Sequence, residues 1–388
     1  MLDFSSLYNS GDNKEKPRDQ LPLKPEENHQ DNTSKKNIPQ DLPLKKTELY
    51  QDPAHSGAGI SFSDINFSQE DGNFNEYVFQ NSKQFYLDCL LLAENAIVCL
   101  RQSGKVDFVK IAKKISDLTE NITFGDKYYL VLMNDIKYDN FLAMDLVNVA
   151  ILAIEIGIQA GYNRSRLESL ALAAFFHDIG LARMQNLINS TRTLTFNEVM
   201  QIKSHPLTVK EILQDSGIPD EVINGGLHHH ERLDGSGYPA GLKGNQISDF
   251  GQIIAVADIF ESLTHPRPFR SHLDSLEAFK TIFQTKFYRL NPRYVDALIK
   301  SVGFYPLGSW VKLDDGFVGK VVFVDKQYPL RPVILLLFDP SRKSLEAPKR
   351  LDMRKHIESK IKSILSPQEV IAFSASSDNS RQQISESS

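Results

Sequence analysis

A run of apolar residues near the middle of the chain ends in an adjacent histidine and aspartate. Residues 170–176 are all Leu, Ala or Phe, and His177-Asp178 follows directly. Because the run is apolar on every side at helical spacing, the helix that contains it must be buried. We expect a helix over Ser165–His177 that carries an imidazole and a carboxylate into the protein interior. A buried carboxylate is costly without a partner, and its two oxygens can bridge two cations.

Further potential metal ligands follow in separate segments of the chain. They are His205 before a proline, the pair His229-His230, and Asp258 after an apolar run. Any one of them alone is more often a hydrogen-bonded residue than a ligand. The ordered set, with a candidate first ligand at Asp145, is instead typical of a site for two metals. Two cations close together can activate water for attack on phosphorus and neutralise the charge that develops there.

The formal charge of the chain is concentrated in its first part. The first 75 residues hold 13 acidic and 8 basic side chains, out of 49 and 44 in the whole chain. This segment has few large apolar residues, so we predict a disordered acidic polar tail over 1–75 and a second disordered tail over 373–388. The remainder is formally neutral, which argues against a broad nucleic-acid-binding surface.

The cysteine content and the hydropathy pattern predict a cytoplasmic location. Cys89 and Cys99 both lie in an apolar helical pattern, which predicts two buried free thiols in a reducing compartment. The first residues lack the basic and apolar regions of a secretory signal. The apolar window 85–100 is short and interrupted by polar residues, so we expect no membrane span.

Hydrophobic periodicity predicts a mainly α fold with a small C-terminal β appendage. Apolar residues at helical spacing predict two or three helices over 77–133, an N-terminal module that is a sensor, a docking surface or a cap on the next domain. The helical metal-site domain is expected over 135–305, and a small β-rich extension over 306–372. The predicted helices of the metal-site domain are Asp145–Ala160, Ser165–His177, Thr195–Gln214 with a kink or restart at Pro206, and Gly251–Leu263. The extension is predicted to hold strands near 309–313, 319–324 and 332–337, followed by a terminal helix near Arg354–Leu365.

The densest cluster of chemistry-bearing residues is His228-His229-His230-Glu231-Arg232-Leu233-Asp234-Gly235-Ser236-Gly237-Tyr238-Pro239. Together with Phe176-His177-Asp178-Ile179-Gly180, this segment resembles the HD-GYP family, a branch of the HD-domain metal phosphohydrolases. The resemblance covers about 135–305 strongly and continues more weakly to about 365. It implies an HD-type helical bundle in which His177 and Asp178 belong to the catalytic centre.

The resemblance also implies how two divalent metal ions, Fe or Mn, would be held. One metal would be bound by Asp145, His177, Asp178 and Asp258, and the other by Asp178, His205, His229 and His230. The implied substrate is cyclic di-GMP, opened to linear pGpG, with further hydrolysis to GMP left open.

Several residues are implied to contact the substrate or a partner. Arg267 and Arg270 match family positions that carry basic contacts to the substrate phosphates, for which a guanidinium fork is suited. Gly237, Tyr238 and Pro239 would shape the pocket, and this loop is tied in the family to docking with diguanylate cyclase domains. Tyr238 would either stack on a guanine or pin the loop, and an oligomer is compatible with the family.

The chain departs from the family pattern at two positions. Asp145 stands where the family has a histidine, and it is either a ligand to Fe or Mn or a helix surface residue. Leu181 replaces a lysine thought to contact the scissile phosphate, and the loss of one preorganised cation costs about 3–4 kcal/mol of barrier. Arg183 would face elsewhere on a helix, which leaves His228 as another candidate acid. Phe141, where some members have a carboxylate for a third metal, limits the site to two.

Three functions therefore remain open from the sequence. The first is a metal-dependent cyclic di-GMP phosphodiesterase. The second is a catalytically degenerate protein that binds cyclic di-GMP as an effector or acts as a protein-interaction module. The third is an HD-type hydrolase of another nucleotide, which the intact glycine-tyrosine-proline loop disfavours.

Overall fold

A helical body is followed along the chain by an antiparallel sheet. The computed structural model describes residues 75–265, 272–286, 289–366 and 368–370. Its α-helices are α1 Glu76–Ser103, α2 Phe108–Thr123, α3 Tyr128–Asp135, α4 Phe141–Gln159, α5 Arg164–Phe176, α6 Gln185–Ile188, α7 Phe196–Lys203, α8 His205–Leu213, α9 Asp220–His228, α10 Asp249–Thr264, α11 Ser275–Thr281 and α12 Pro292–Val302. The strands are β1 Trp310–Leu313, β2 Val318–Phe323, β3 Val333–Phe338, β4 Ser344–Asp352 and β5 Ile361–Ile364. The predicted mainly α class with a small C-terminal β appendage is confirmed.

Helix α4 forms the centre of the helical body and packs against α1, α5, α10 and α12. The side chain of Asn140 caps its first turn by accepting from the backbone N–H of Ala143. By length and composition this helix is apolar enough to cross a membrane, but 83% of its apolar window is buried within the protein. No other helix in the described ranges meets the same two criteria. A core helix of this kind explains why Asp145, in its second turn, is buried.

Helix α5 ends where the sequence predicted that a buried helix would deliver the His-Asp pair. Asn163 caps its start by accepting from the N–H of Arg166, and the helix ends at Phe176. The chain then turns through a 3₁₀ helix over Ile179–Met184, with Asp178 at its N-cap. The buried helix predicted over Ser165–His177 is therefore confirmed to within one residue at each end.

The predicted helix Thr195–Gln214 is divided into α7 and α8 at Ser204. A capping box between Thr195 and Glu198 starts α7, and Pro206 lies in the first turn of α8. Proline fits a first turn because its missing N–H would have no partner there. Of the predicted kink or restart at Pro206, the structure shows a restart, which brings His205 to the first position of a new helix.

The N-terminal helices are joined to the helical body by buried polar contacts. The hydroxyl of Tyr86 on α1 donates to Asn148 of α4 at 2.7 Å, and the Asn148 amide lies 3.4 Å from Glu261 of α10. His265, at the end of α10, places its Nε2 3.0 Å from the carbonyl oxygen of Met133 on α3. Two or three helices were predicted over 77–133, and three are present; α1 and α3 contact the core of the metal-site domain.

The prediction of two buried cysteines was wrong for one of them. Cys89 is buried, whereas Cys99 is exposed. The buried stripe of α1 runs through Tyr86, Ala93 and Leu100 as well as Cys89, so it is turned slightly from the stripe expected from the sequence. Cys99, next to Leu100 on the helix, therefore lies outside the packed face.

The five strands form one antiparallel sheet in the order β4-β3-β2-β1-β5. Trp310 lies opposite Lys320 and Val321 lies opposite Ile334. Both faces of β3 are covered, because Ile334 belongs to one hydrophobic cluster and Leu335 to the cluster on the other face. The three predicted strands are present as β1, β2 and β3, and β4 extends the sheet at the edge of β3.

The terminal helix predicted near Arg354–Leu365 was wrong. The guanidinium of Arg354 binds Asp325 at 2.6 Å and Asp352 at 2.8 Å, which fixes a turn directly after β4. Residues 361–364 then pair with the free edge of β1 as β5. Sheet pairing, which local helical spacing does not report, decided the structure of this segment. The predicted disordered tails lie outside the described residues, except for Asn75.

Candidate metal centre

Seven potential metal ligands converge on the interior of the helical body from separate helices. Every predicted ligand is at most 7% exposed. Asp145 comes from α4, His177 from the end of α5, and Asp178 from the start of the 3₁₀ helix. The others are His205 at the start of α8, His229-His230 after α9, and Asp258 on α10.

Four of these residues form one compact donor group. Asp178, His205, His229 and His230 each offer a ligand atom, and these atoms all lie within 4.8 Å of one another. The Nε2 atoms of His205 and His229 lie 2.8 and 3.2 Å from the same carboxylate oxygen of Asp178. This is the set that the resemblance assigned to the second metal.

A second group shares Asp178 with the first and adds Asp145 and His177. The Nε2 atom of His177 lies 3.6 Å from Asp145 Oδ2 and 3.7 Å from Asp178 Oδ2. The two oxygens of Asp178 therefore face different donor groups, as a carboxylate that bridges two cations would. The alternative that Asp145 is a helix surface residue is excluded by its burial, since it is 1% exposed.

Three of the histidines are oriented by the carbonyl group three residues earlier in the chain. Nδ1 of His177, His205 and His229 lies 2.7, 2.8 and 2.6 Å from the carbonyl oxygens of Ala174, Ile202 and Gly226. A carbonyl oxygen can only accept, so each Nδ1 carries the proton in these contacts. Each ring therefore directs its Nε2 at the centre, and in the neutral tautomer this atom is unprotonated, which is the usual orientation of a metal-ligating histidine.

This orientation is unfavourable unless a positive charge lies among the donors. The Nε2 atoms of His205 and His229 are 3.3 Å apart, and both face an oxygen of Asp178. Lone pairs at such distances repel each other unless a proton or a metal ion binds between them. Nε2 of His177 and Nδ1 of His230 are also buried without a hydrogen-bond partner among the described residues. The donor set therefore fits metal binding.

The charges of the site follow from this packing. Burial alone would raise the pKa of Asp178, but the imidazoles of His177 and His205 and the contacts from His205 and His229 hold it well below its usual range. Burial, with the neighbouring imidazoles, lowers the pKa of His230 well below its usual range. At neutral pH the centre thus holds a carboxylate and a neutral imidazole, the protonation states that metal binding requires.

Asp258 lies at the site but outside both donor groups. It is 1% exposed, and its negative charge acts on the buried guanidinium of Arg232, whose pKa burial lowers. Nη1 of Arg232 donates to the carbonyl oxygens of His229 and Glu231 at 3.0 and 2.8 Å. Arg232 thus stabilises the turn that carries the ligand pair. Direct metal ligation by Asp258 stays a prediction.

The loop after the ligand pair folds back onto the backbone of residues 231 and 232. The carboxylate of Glu231 accepts from the N–H groups of Ala240 and Leu242 at 2.7 and 3.0 Å. A Cβ at Gly237 would lie 2.4 Å from the backbone N of Arg232 and from Cα of Glu231. Only glycine allows so close an approach of two backbone segments. Sequence reasoning assigned no role to Glu231, although its position directly after the ligand pair is a usable signal.

The same loop places Tyr238 against the donor group. Its ring lies 4.6 Å from that of His230 at an interplanar angle of 30°. Burial and the charges of Asp178 and Asp258 raise the pKa of Tyr238 well above its usual range, so its hydroxyl stays protonated. Of the two predicted roles for Tyr238, the observed packing supports the one in which it pins the loop.

Leu181, which stands where the family has a lysine, lies on the same face of the 3₁₀ helix as Asp178. Residues three apart are eclipsed in a 3₁₀ helix, and the N–H of Leu181 donates to the carbonyl of Asp178. Leu181 is 7% exposed. Arg183 does not replace the lysine, because its guanidinium lies 3.5 Å from Glu211 at the surface.

His228 does not join the observed site. Nδ1 of His228 accepts from the N–H of Ser248 at 3.2 Å, and burial lowers the pKa of His228. This ring therefore has a structural contact, and it is in neither donor group. Arg267 and Arg270 lie outside the described residues.

Comparison with known proteins agrees with this architecture. A family model described as "HD domain" matches residues 132–293, and one described as "KOW domain associated with HD domain" matches 310–373. The first range contains all seven predicted ligands and the glycine-tyrosine-proline loop. Residues 132–293 thus form an HD domain.

Curated relatives of this chain are named as phosphodiesterases. The cyclic di-GMP phosphodiesterase PA4108 of Pseudomonas aeruginosa is 28% identical, over 63% of this chain and 59% of the relative. The 3'3'-cGAMP-specific phosphodiesterase 1 of Vibrio cholerae is 32% identical, over 39% of this chain and 36% of the relative. The chain thus spans less than two thirds of the length of each of these relatives.

A solved structure is also similar to this chain. The HDG"Y"P protein Bd1817 from Bdellovibrio bacteriovorus aligns with a TM-score of 0.49 and 18% identity, over 59% of this chain and 74% of that chain.

Proposed function

We propose that this HD-domain protein is a metal-dependent phosphodiesterase that hydrolyses cyclic di-GMP to linear pGpG. The observation that carries the proposal is the pair of donor groups that share Asp178. The names of the curated relatives support a cyclic dinucleotide as the substrate. Further hydrolysis to GMP is a finer part of the same proposal.

Two divalent cations, Fe or Mn, would be held by the residues of the two donor groups. One would be bound by Asp145, His177 and Asp178, with Asp258 close by, and the other by Asp178, His205, His229 and His230. When bound, the metals would supply positive charge that polarises the phosphodiester and lowers the pKa of water. Mixed imidazole and carboxylate ligands suit either metal.

The residues of the chain prepare this chemistry by orientation and by burial. The carbonyl contacts of His177, His205 and His229 fix the three rings before any ligand binds. The protonated hydroxyl of Tyr238, close to the charge of Asp178, can donate a hydrogen bond to a phosphate oxygen. The low exposure of the donors excludes bulk water and strengthens each electrostatic interaction at the centre.

The second candidate function is a cyclic di-GMP effector without turnover. The specific observation in its favour is the apolar Leu181 on the face of Asp178, with Arg183 bound to Glu211. This leaves the described 3₁₀ helix without a cation directed at the substrate. Docking of diguanylate cyclase domains on the Gly237-Tyr238-Pro239 loop, and self-association, are additional proposals that the exposure of the neighbouring Ser236 and Ala240 supports.

The deciding experiment combines metal analysis with turnover on one anaerobically purified sample. We expect two metal ions per chain. We also expect conversion of cyclic di-GMP to pGpG, which is measured by chromatography. An Asp178→Ala sample prepared in parallel provides the control. Binding of cyclic di-GMP without product would favour the effector, and faster hydrolysis of 3'3'-cGAMP would change the assigned substrate. Wild-type protein that binds no metal ion and hydrolyses no cyclic di-GMP would refute the proposal.

A further inference from the structure

The ammonium group of a lysine lies over the ring of the aromatic residue that packs on the donor group. Nζ of Lys203 is 5.5 Å from the centroid of the Tyr238 ring, and this ring in turn packs on His230 at 4.6 Å. The face of an aromatic ring attracts a cation, so this contact holds the ammonium group beside the centre.

The backbone fixes Lys203 relative to the ligands. Lys203 is the last residue of α7, and His205 is the first residue of α8, so one residue separates them. The ring of His205 is held at Nδ1 by the carbonyl of Ile202, and its Nε2 lies beside the carboxylate of Asp178. The ammonium group of Lys203 is thus attached to a rigid part of the site.

Lys203 also differs from the other cations near the centre, because it has no acidic partner in the part of the chain that the structure describes. Among those residues, no carboxylate lies within the 4.0 Å ion-pair distance of its Nζ, whereas Arg183 is paired with Glu211. The guanidinium of Arg232 is buried and donates to backbone carbonyls. A half-buried ammonium without such a counter-ion beside a phosphodiester site is suited to bind a phosphate oxygen.

We propose that Lys203 binds a phosphate oxygen of the cyclic dinucleotide and supplies, from α7, positive charge that Leu181 does not supply from the 3₁₀ helix. This inference rests on the proposed function. Because Lys203 contacts Tyr238 and is in neither donor group, its contribution is to substrate binding, which is equal in the ground state and the transition state. Removal of such an interaction raises KM and leaves kcat nearly unchanged.

A purely structural role for Lys203 makes a different prediction. A basic residue in the last turn of a helix also stabilises the helix dipole. If this were its only role, its removal would lower the melting temperature and leave KM unchanged. The two roles are therefore separated by the kinetic constants.

The test compares Lys203→Met with Lys210→Met and Lys203→Arg in the metal-loaded full chain. Lys210 is an exposed lysine on α8, so its variant removes the same charge from a neighbouring helix. For Lys203→Met we expect a rise of about tenfold in the KM for cyclic di-GMP, a change below about twofold in kcat, and a weaker dependence of KM on salt. Lys203→Arg should restore most of the affinity, and metal content should be the same in all variants.

Each outcome decides between the proposal and its alternatives. An unchanged KM in Lys203→Met, or an equal rise in Lys210→Met, overturns the role of Lys203 while the proposed phosphodiesterase stands. If the wild type binds cyclic di-GMP without turnover, calorimetric affinities of the same variants test Lys203 alone. If the wild type neither binds nor hydrolyses the nucleotide, both proposals fall.

Discussion

The close approach of Gly237 to the backbone of residues 231 and 232 gives a sharp prediction for Gly237→Ala. The added Cβ would lie 2.4 Å from the N atom of Arg232 and 2.6 Å from the carbonyl carbon of Glu231. Ordinary van der Waals contacts of a Cβ atom begin near 3.4 Å. Either the loop or the turn that carries His229 and His230 must therefore move by about 1 Å. Both close atoms belong to the backbone, so neither can move aside as the end of a flexible side chain could. Such overpacking costs about 1–3 kcal/mol of stability.

The loop is the part that we expect to move. The turn that carries His229 and His230 is fixed by the hydrogen bonds of Arg232 and by the contact of His229 with the carbonyl of Gly226. Tyr238 is the next residue, so its ring would be displaced from His230 and from Lys203. A displacement of about 1 Å at a substrate-positioning group can reduce the rate about 100-fold. We therefore expect kcat/KM for cyclic di-GMP to fall about 30- to 100-fold while two metal ions remain bound.

The assay measures metal content, thermal unfolding and steady-state kinetics on the same preparation. Gly244→Ala is the matched control, since Gly244 has a φ of +49° and open space around its Cβ position. That variant has the backbone strain of a left-handed alanine, about 1 kcal/mol, without a clash. Full activity in Gly237→Ala, or loss of its metal ions, would refute the reasoning that the glycine positions Tyr238.

Three further predictions follow from the described contacts. Asp178→Ala should reduce the metal content from two ions per chain to none, measured by elemental analysis, because both donor groups lose their shared carboxylate. Leu181→Lys should raise kcat at least about tenfold if the missing cation limits turnover, and should lower the unfolding free energy by about 1–3 kcal/mol because a buried leucine is lost. The hydrogen bonds from Arg354 lower the pKa of Asp352 to about 2 from 3.8, so its stabilising effect should be present above about pH 4 and disappear as the pH falls through about 2. Denaturant titrations should then show Asp352→Asn less stable than wild type by about 1–2 kcal/mol at pH 7, and equally stable below pH 2.

A different result would contradict each of these three predictions. Stoichiometric metal in Asp178→Ala would exclude Asp178 as the shared ligand. An unchanged rate in Leu181→Lys, in protein that remains folded, would assign the rate limit to another group. For Asp352→Asn, a stability difference that is independent of pH would show that packing, and not charge, sets the effect.

The helical body and its ligands could be predicted from the sequence because two strong local signals coincide there. The apolar run before His177 requires burial, and the ligand residues follow it in the order that a two-metal site needs. The restart at Pro206 was predictable because proline disfavours a helix interior and fits a first turn. The burial of Asp145 was not, since a carboxylate in an apolar helix is compatible with either face.

Other features depend on contacts that are remote in sequence. β5 pairs with β1, about 50 residues earlier in the chain, so the helical spacing of Arg354–Leu365 was overridden by an available sheet edge. The contact of Lys203 with Tyr238 joins residues 35 positions apart. The role of Glu231 as an anchor for the loop depends on backbone donors at Ala240 and Leu242, which no residue pattern reveals.

The buried link from Tyr86 through Asn148 to Glu261 has a consequence for the engineering of this protein. The matched HD segment begins at residue 132, yet Asn148 in its interior, which contacts Glu261, accepts a hydrogen bond from a tyrosine 46 positions upstream of that boundary. A fragment trimmed to the region of homology would expose the apolar faces of α4 that α1 covers and would leave a buried amide with one partner fewer. We therefore expect the smallest piece that folds independently to be longer than the matched HD segment, and a fusion that exchanges the N-terminal segment to require α1.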